Sequence, residues 1–463
     1  MLLLPGLLVL GALVLPALAA SDNLHAVIES TSYDRLVLGQ RTLRGTWDPH
    51  FPLGTAALMS VPWRFGWDPV AFGRAVSLLA AVVASGFLFT LVRRASGGVG
   101  AAFAAAAIWL VPSFTRGAVV TGEEALCTAW MLCAAWALVR GHEARGRVDA
   151  WMALSAVAVN ATVLYRLDAM TLVPLFVLLG FAAFGIKRGL VHGLFCGLST
   201  VGHMALSARL VGDPIGFARV ASMNIRRNAD GFDALGPGVL PVNLAGELGG
   251  WVVLIGAMLG LVHLLRAQVA HLPGARAASR TLGVLLGGAF VIDLVLTMLG
   301  AMEARTMRYL VPLLTLCVAG IGALVGELWA RDRRIGSVIG IGLAALMIGH
   351  GVPEIRRQAA QEKLPVGLVE AAEWVGANAA GRVLVGEQHP TFVVESGLPY
   401  AQLDVLPPGA PGQSGVELLR QRMHGVDWLV QVEGNPPDQQ IRALGGLTLQ
   451  HSTTCCASYR ARR

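Results

Sequence analysis

Apolar runs of about 16 to 20 residues, each long enough to cross the hydrocarbon core of a bilayer, recur along this chain and leave it little choice of fold. They lie near residues 2–19, 74–92, 98–115, 124–139, 150–165, 169–185, 190–210, 249–265, 281–300, 309–328 and 335–352. A backbone in lipid must satisfy its own hydrogen bonds, and runs of this length do so as helices. Composition agrees: 55% of the 463 residues are hydrophobic and 14% are charged, against about 25% charged in an ordinary soluble domain. The expected fold is a polytopic α-helical membrane protein with about 11 transmembrane helices.

The connections between the runs alternate in charge. One set is short and basic: Arg93-Arg94, the stretch from Arg140 to Arg147, Lys187-Arg188, Arg266 with Arg276 and Arg280, and Arg331 to Arg334. Basic loops stay on the cytoplasmic side. The other set, residues 20–73, 116–123, 166–168, 211–248 and 301–308, is longer and of mixed charge, and so is expected outside. The first run ends in an Ala-x-Ala-like "ALAAS" but lacks a basic n-region, which favours an uncleaved span over a signal peptide.

After residue 352 the composition turns soluble. "LVEAAEWVGANAA" has the pattern of an amphipathic helix and "GRVLVGE" that of a strand, and "GVELLRQRMHG" with "VDWLVQVEG" repeats the unit. Two parts are expected: residues 1–352, a membrane domain with an acidic first outer loop over 20–73, and residues 353–463, a small α/β domain. The alternation places that second domain on the periplasmic side of a cytoplasmic (inner) membrane. The net charge of +7 is accounted for by the basic loops, and no basic stripe with interleaved aromatics suggests nucleic acid as a partner. Cys127, Cys133, Cys196 and Cys317 lie in apolar runs without metal-binding spacing. Cys455 and Cys456 are adjacent, a poor geometry for an ordinary structural disulfide.

Sorted by side, the ionisable residues of the outer loops include Asp22, Asp34, Glu123, Glu124, Arg166, Asp168, Arg305 and Arg308. Topology explains arginines on the inner side but not carboxylates on the outer one. Each has a plain structural reading as well: Asp22 as a helix cap, Arg166 and Asp168 as a pair across a tight turn, Arg305 and Arg308 as side chains reaching the headgroups. Glu123-Glu124, two carboxylates at the mouth of a span, invite a counter-cation, a substrate or a divalent metal. Asp293 is the one carboxylate deep in a span, structural or functional. Phosphate-cradling loops, dinucleotide fingerprints, nucleophile elbows, zinc-protease motifs and D-x-D pairs are all missing.

In this setting the stretch "LGQRTLRGTW" followed by "HFPLG" resembles the GT-C glycosyltransferases, in the branch of protein O-mannosyltransferases and bacterial aminoarabinose transferases. That family opens its first outer loop with an acidic motif, continues through R-x-L-x-x-G-x-W and reaches an H/K-P-P-L segment before the next span; Phe51 stands here for the first proline. The acidic residue before the fourth span, Glu123 with Glu124, the basic turn in "LYRLDAMTLVPL", and "RTMRYLVPLL" from Arg305 to Leu314 resemble further family segments. The acidic pair departs from the family, since Asp22-Asn23 and Tyr33-Asp34 replace Asp-Glu or Asp-Asp. Spacing from Gly45 favours Asp34, and position just after the first span favours Asp22.

The resemblance implies inverting transfer of a sugar from a polyprenyl-phosphate carrier to a glycan, lipid or protein acceptor, among membrane lipids and with no certain cofactor. It implies catalytic roles for Asp34, Asp22 and Glu123, with Glu123 and Glu124 as candidate ligands of a divalent metal ion. Substrate binding falls to Arg166, Arg305, Arg308, Tyr309 and His50. Two other classes compete. A transporter would carry broken spans in two matching halves, and an O-antigen polymerase or ligase leaves the acidic first loop and the terminal domain unexplained.

Overall fold

The computed structural model describes residues 30–44, 51–120, 122–144, 148–216, 238–266, 275–299, 307–361, 366–386, 389–406 and 415–461. They divide into two units, each treated on its own. One comprises 1–19, 47–55 and 74–358; the other comprises 20–46, 56–73 and 359–463. The second unit thus takes in most of the 20–73 segment along with the C-terminal residues, a grouping that differs from a single boundary at residue 353.

In chain order the helices up to the C-terminal region are α1 (Ser30–Leu43), α2 (Leu53–Phe65), α3 (Pro69–Ser96), α4 (Gly98–Ala107), α5 (Pro112–Val119), α6 (Glu124–Glu143), α7 (Val148–Tyr165), α8 (Val173–Cys196), α9 (Leu198–Val211), α10 (Val239–Leu248), α11 (Trp251–Arg266), α12 (Ala275–Met298), α13 (Val311–Arg331) and α14 (Arg333–Gln361). Short 3₁₀ turns at Ile108–Leu110, Leu167–Leu172 and Met307–Leu310 connect some of them. Among the described residues, six helices are long and apolar enough to cross a bilayer, or eight when each of two bent pairs counts as one span. This is fewer than the eleven apolar runs. The run at 2–19 lies outside the described residues, α6 is not among the six, and 167–210 is counted as one stretch.

Local chemistry explains the breaks. The chain bends by 71° between Leu110 and Pro112, where proline at the first turn starts α5 without needing its missing N–H. It bends by 103° between α10 and α11, where Gly249 and Gly250 take φ of 99° and 117°, conformations that L side chains rarely adopt. Gly185, with φ 78° and ψ 174°, interrupts α8. A Cβ on Gly193 would sit 3.0 Å from the Val177 side chain, and one on Gly180 would meet the His192 ring. Such contacts across 12 to 16 residues require the chain to double back there.

Helix α13 is the centre of this unit: 83% of its apolar window is buried, against 28–50% for the other candidate spans. Small residues let its neighbours approach to backbone contact. A Cβ on Gly260 of α11 would land on the Gly320 carbonyl, and one on Gly322 would lie 2.7 Å from both the Ala104 Cβ and the Gly100 carbonyl of α4. In lipid, where apolar burial drives helices together little, this close packing is a main source of association.

The second unit is built on a mixed five-stranded sheet of order β2-β1-β3-β5-β4, with β1 Val383–Val385, β2 Leu403–Val405, β3 Trp428–Val432, β4 Leu447–Ser452 and β5 Cys456–Ala461. Strands β2, β1 and β3 run parallel; β5 is antiparallel to both β3 and β4. Helices α15 (Val366–Asn378), α16 (His389–Glu395), α17 (Gly415–Arg422) and α18 (Asp438–Leu444) accompany them. Alternation along the strands sends Val383, Val385, Trp428, Val430 and Val432 into one core and Leu384 and Leu429 into another, as a sheet covered on both faces requires. The larger core also contains Tyr33, Leu36, Val37 and Met59 from α1 and α2. These two helices bury their apolar stripes in the same core as the sheet.

Replacing Gly260 by leucine should separate α11 from α13 and cost at least about 1–3 kcal/mol, read as a lowered melting temperature of the purified protein in detergent; Gly342→Leu, where a Cβ meets open space, should not.

Candidate functional site

Within the helical unit, three connections converge on one guanidinium. Arg166 sits in extended conformation between α7 and the turn at Leu167–Leu172, and its side chain is 2% exposed. Its Nε and Nη2 each donate to Asp168, at 3.0 Å to Oδ1 and Oδ2 respectively, the bidentate fork that arginine makes with a carboxylate. Nη1 lies 3.4 Å from Glu124 Oε1. The ring of Tyr309, from the turn at Met307–Leu310, stands beneath the guanidinium with its centroid 5.1 Å away, a cation–π contact.

Glu124 is held there by its surroundings. It opens α6, where the helix dipole favours a carboxylate, and its side chain is 5% exposed. Glycines at 117 and 122 make room, since a Cβ on Gly117 would lie 3.1 Å from the Glu124 Cβ and one on Gly122 would collide with its carboxylate. Ser77 of α3 bonds through its hydroxyl to the Gly122 backbone. Asp168 is the more open partner, with its side chain 32% exposed.

A second buried carboxylate was not singled out by the sequence. Glu247 of α10 is 7% exposed and accepts the backbone N–H of the buried Ser113 at 3.0 Å, so it serves a donor that has no intrahelical partner at the start of α5. A lone glutamate in the apolar "PVNLAGELGGW" was the available signal.

Within the sheet unit, Asp34 is half-buried on α1, between the buried Tyr33 and Arg35. The helix that carries it is fixed on several sides. The Tyr33 hydroxyl donates to Glu395 Oε1 at 2.5 Å, Arg41 Nε donates to the Tyr400 hydroxyl at 2.9 Å, and Arg41 and Arg44 stand over the Tyr400 ring. Trp63 Nε1 donates to the Leu36 carbonyl at 2.8 Å. Gly39 lies so close to the backbone of Met59 and Ser60 that a side chain there would collide.

The residues expected to act thus fall into three groups. Glu124, Arg166 and Tyr309 come together, with Asp168 joining them. Asp34 and Glu123 are described, each in its own unit. Asp22, His50 and Arg305 lie outside the described residues, as does the side chain of Arg308. The expected metal site does not fit the geometry at Glu124, whose carboxylate faces Arg166. Among the described residues no group of three or more His, Cys, Asp or Glu is placed to hold a metal ion. Arg166, expected to bind substrate, has its fork engaged by protein carboxylates.

Removing one partner of a buried ion pair leaves a charge stranded, at a cost of about 3–5 kcal/mol. Arg166→Met should therefore destabilise the protein strongly in a thermal melt in detergent. Arg166→Met combined with Glu124→Gln should recover part of the loss, the non-additivity expected of contacting residues.

Residues 67–206, which include Glu123, Glu124, Arg166 and Asp168, match the family model of dolichyl-phosphate-mannose-protein mannosyltransferases. Among curated proteins none matches the sequence. In fold, the chain is similar to ArnT from Cupriavidus metallidurans solved bound to undecaprenyl phosphate, at 13% identity and a TM-score of 0.63, over 98% of this chain and 97% of that one. It is also similar to the Archaeoglobus fulgidus oligosaccharyltransferase solved with Zn and sulfate, at 11% identity and a TM-score of 0.58, over 100% and 73% of the two chains. A further match is AglB from the same organism, in complex with an inhibitory peptide and a dolichol-phosphate, at 10% identity and a TM-score of 0.55, over 100% and 74%. At these identities the structural likeness is one of fold. With the family match over 67–206, it makes this chain similar to the GT-C membrane glycosyltransferases of the protein mannosyltransferase and ArnT branch.

Proposed function

We propose that this protein is a membrane glycosyltransferase that moves a sugar from a polyprenyl-phosphate carrier to a hydroxyl acceptor on the outer face of the cytoplasmic membrane. The observation that carries this reading is the family match over 67–206. A fold shared along nearly the whole chain with a protein solved bound to undecaprenyl phosphate supports it. The proposed topology has eleven spans. Counting α6 as a span and dividing 167–210 at Gly185 brings the eight candidates to the ten apolar runs that are described, and the run at 2–19 is the first. Membrane residues 1–352 and an extracytoplasmic α/β region within 353–463 follow from that count.

In the proposed reaction the acceptor oxygen attacks the anomeric carbon from the side opposite the phosphate. The bond from that carbon to the phosphate oxygen breaks, and the acceptor proton passes to a carboxylate acting as general base. Asp34 is the proposed base, with Asp22 the alternative, and Glu123 orients the acceptor. Arg305 and Arg308 neutralise the phosphate that leaves on the lipid, with His50 beside the substrate. No step is routed through a metal. Among the described residues, the bends at Pro112 and at Gly249-Gly250 favour a transporter, but a transporter would turn over no lipid-linked sugar.

The test is transfer from a panel of polyprenyl-phosphate sugars by purified protein in lipid, followed as release of polyprenyl phosphate. Wild type should release it, and absence of release from every donor would sink the reading. Asp34→Asn keeps the shape and removes the basicity, so turnover should fall by about 10²–10⁴-fold; wild-type rates in both Asp34→Asn and Asp22→Asn would move the base elsewhere. Arg305→Ala or Arg308→Ala should cost about 2–4 kcal/mol in transition-state stabilisation, and normal turnover in the double variant would remove both from the site.

A further inference from the structure

The vicinal cysteines at the tip of the β4–β5 hairpin are used by no step above. Their sulfurs lie 2.6 Å apart, well inside the separation that two non-bonded sulfur atoms keep. Cys456 is buried, 4% exposed, in the core shared by the sheet and α1; Cys455 is half-buried against the same core. The surrounding backbone holds the pair in register. Thr453 N–H donates to the Cys456 carbonyl at 2.8 Å and closes the hairpin, while Glu433 N–H donates to the Cys455 carbonyl at 2.8 Å. The Thr453 hydroxyl donates to the Gly367 carbonyl at 2.8 Å at the start of α15. Glu433 itself takes φ 49°, a left-handed conformation uncommon for a residue other than glycine. The other four cysteines are buried in the helical unit, so each of these two has only the other as a thiol partner within its unit.

We propose that Cys455 and Cys456 form a redox-active pair that closes into a vicinal disulfide, a small ring through their shared peptide bond that fixes the hairpin tip against α15. The chemistry needs a disulfide-class oxidant. The thiolate of the more open Cys455 attacks one sulfur of the oxidant disulfide and expels one thiol, forming a mixed disulfide. The Cys456 thiolate then attacks the Cys455 sulfur and expels the second thiol. Two thiol protons are lost and two electrons pass to the oxidant, which leaves as two thiols. Burial pushes the Cys456 thiol up from its ordinary value, so the half-buried Cys455 is the point of attack. Standing oxidation of the pair in cells rests on the extracytoplasmic location proposed above, because exported proteins keep disulfides and cytoplasmic ones rarely do.

The test separates the two. Full-length protein in detergent is reduced, exchanged into oxidised glutathione, quenched with N-ethylmaleimide and digested with trypsin, so that both cysteines fall in the peptide 443–460. Ring closure predicts a peptide lighter by two hydrogens and free of maleimide, which takes up two maleimides after reduction. Glutathione adducts, a link to a second chain, or two maleimides without reduction would overturn the proposal. The Cys455→Ser variant should lose the light peptide, and its persistence there would overturn it too. Cells trapped with N-ethylmaleimide before lysis report location separately: a ring that closes in detergent but carries two maleimides from cells would contradict the outer placement and leave the pair intact.

Discussion

A guanidinium buried in an apolar bundle must be neutralised where it stands, and the arrangement around Arg166 follows from that need. Asp168 takes its fork from within the same turn, Glu124 approaches from the start of α6, and Tyr309 closes the remaining face. The connections holding these residues cannot drift without stranding charge. The glycines at 117 and 122 belong to the same arrangement, because a side chain at either would press on Glu124. Three helix junctions distant in sequence are therefore fixed to one another by a single positive charge.

The sheet unit meets a different constraint. Helix α1 is short and amphipathic, and an isolated helix of its length is marginal in water. It is stabilised by burying Tyr33, Leu36 and Val37 in a core that also holds Met59 and Val70 and whose remaining members come from the last hundred or so residues of the chain. The contact of Tyr33 with Glu395 and those of Arg41 and Arg44 with Tyr400 set its rotation as well as its position. Asp34 therefore inherits its orientation from residues more than 350 positions away.

What could be read from the sequence was whatever is periodic or local. Apolar runs become helices, and the alternation in "GRVLVGE" and "VDWLVQVEG" falls on β1 and β3, because hydrophobic period reports burial directly. The pairing of Arg166 with Asp168 was visible as a plain two-residue reading. The missed features are non-local. Nothing near Glu124 announces Arg166, which is 42 positions on, and nothing near Ser113 announces Glu247. The acidic pair Glu123-Glu124 suggested a shared cation, but at the start of a helix successive side chains point in different directions. One of the two turned inward to a guanidinium. Likewise α1 and α2 read as part of an outer loop because their partners lie after the last span.

The internal use of Arg166 also bears on how charge is divided in the proposed reaction. A cation that binds a departing phosphate must be able to exchange partners during the cycle, and a buried arginine whose fork is closed on one carboxylate and faced by a second is poorly suited to that. Freeing it would strand Glu124, which is nearly as buried. In the proposed site, neutralisation of the lipid phosphate is therefore assigned to Arg305 and Arg308. They sit at or just before the turn that places Tyr309 beneath Arg166. On this view the buried cluster acts by fixing the turn at Met307–Leu310, and so sets where the proposed phosphate-binding segment begins.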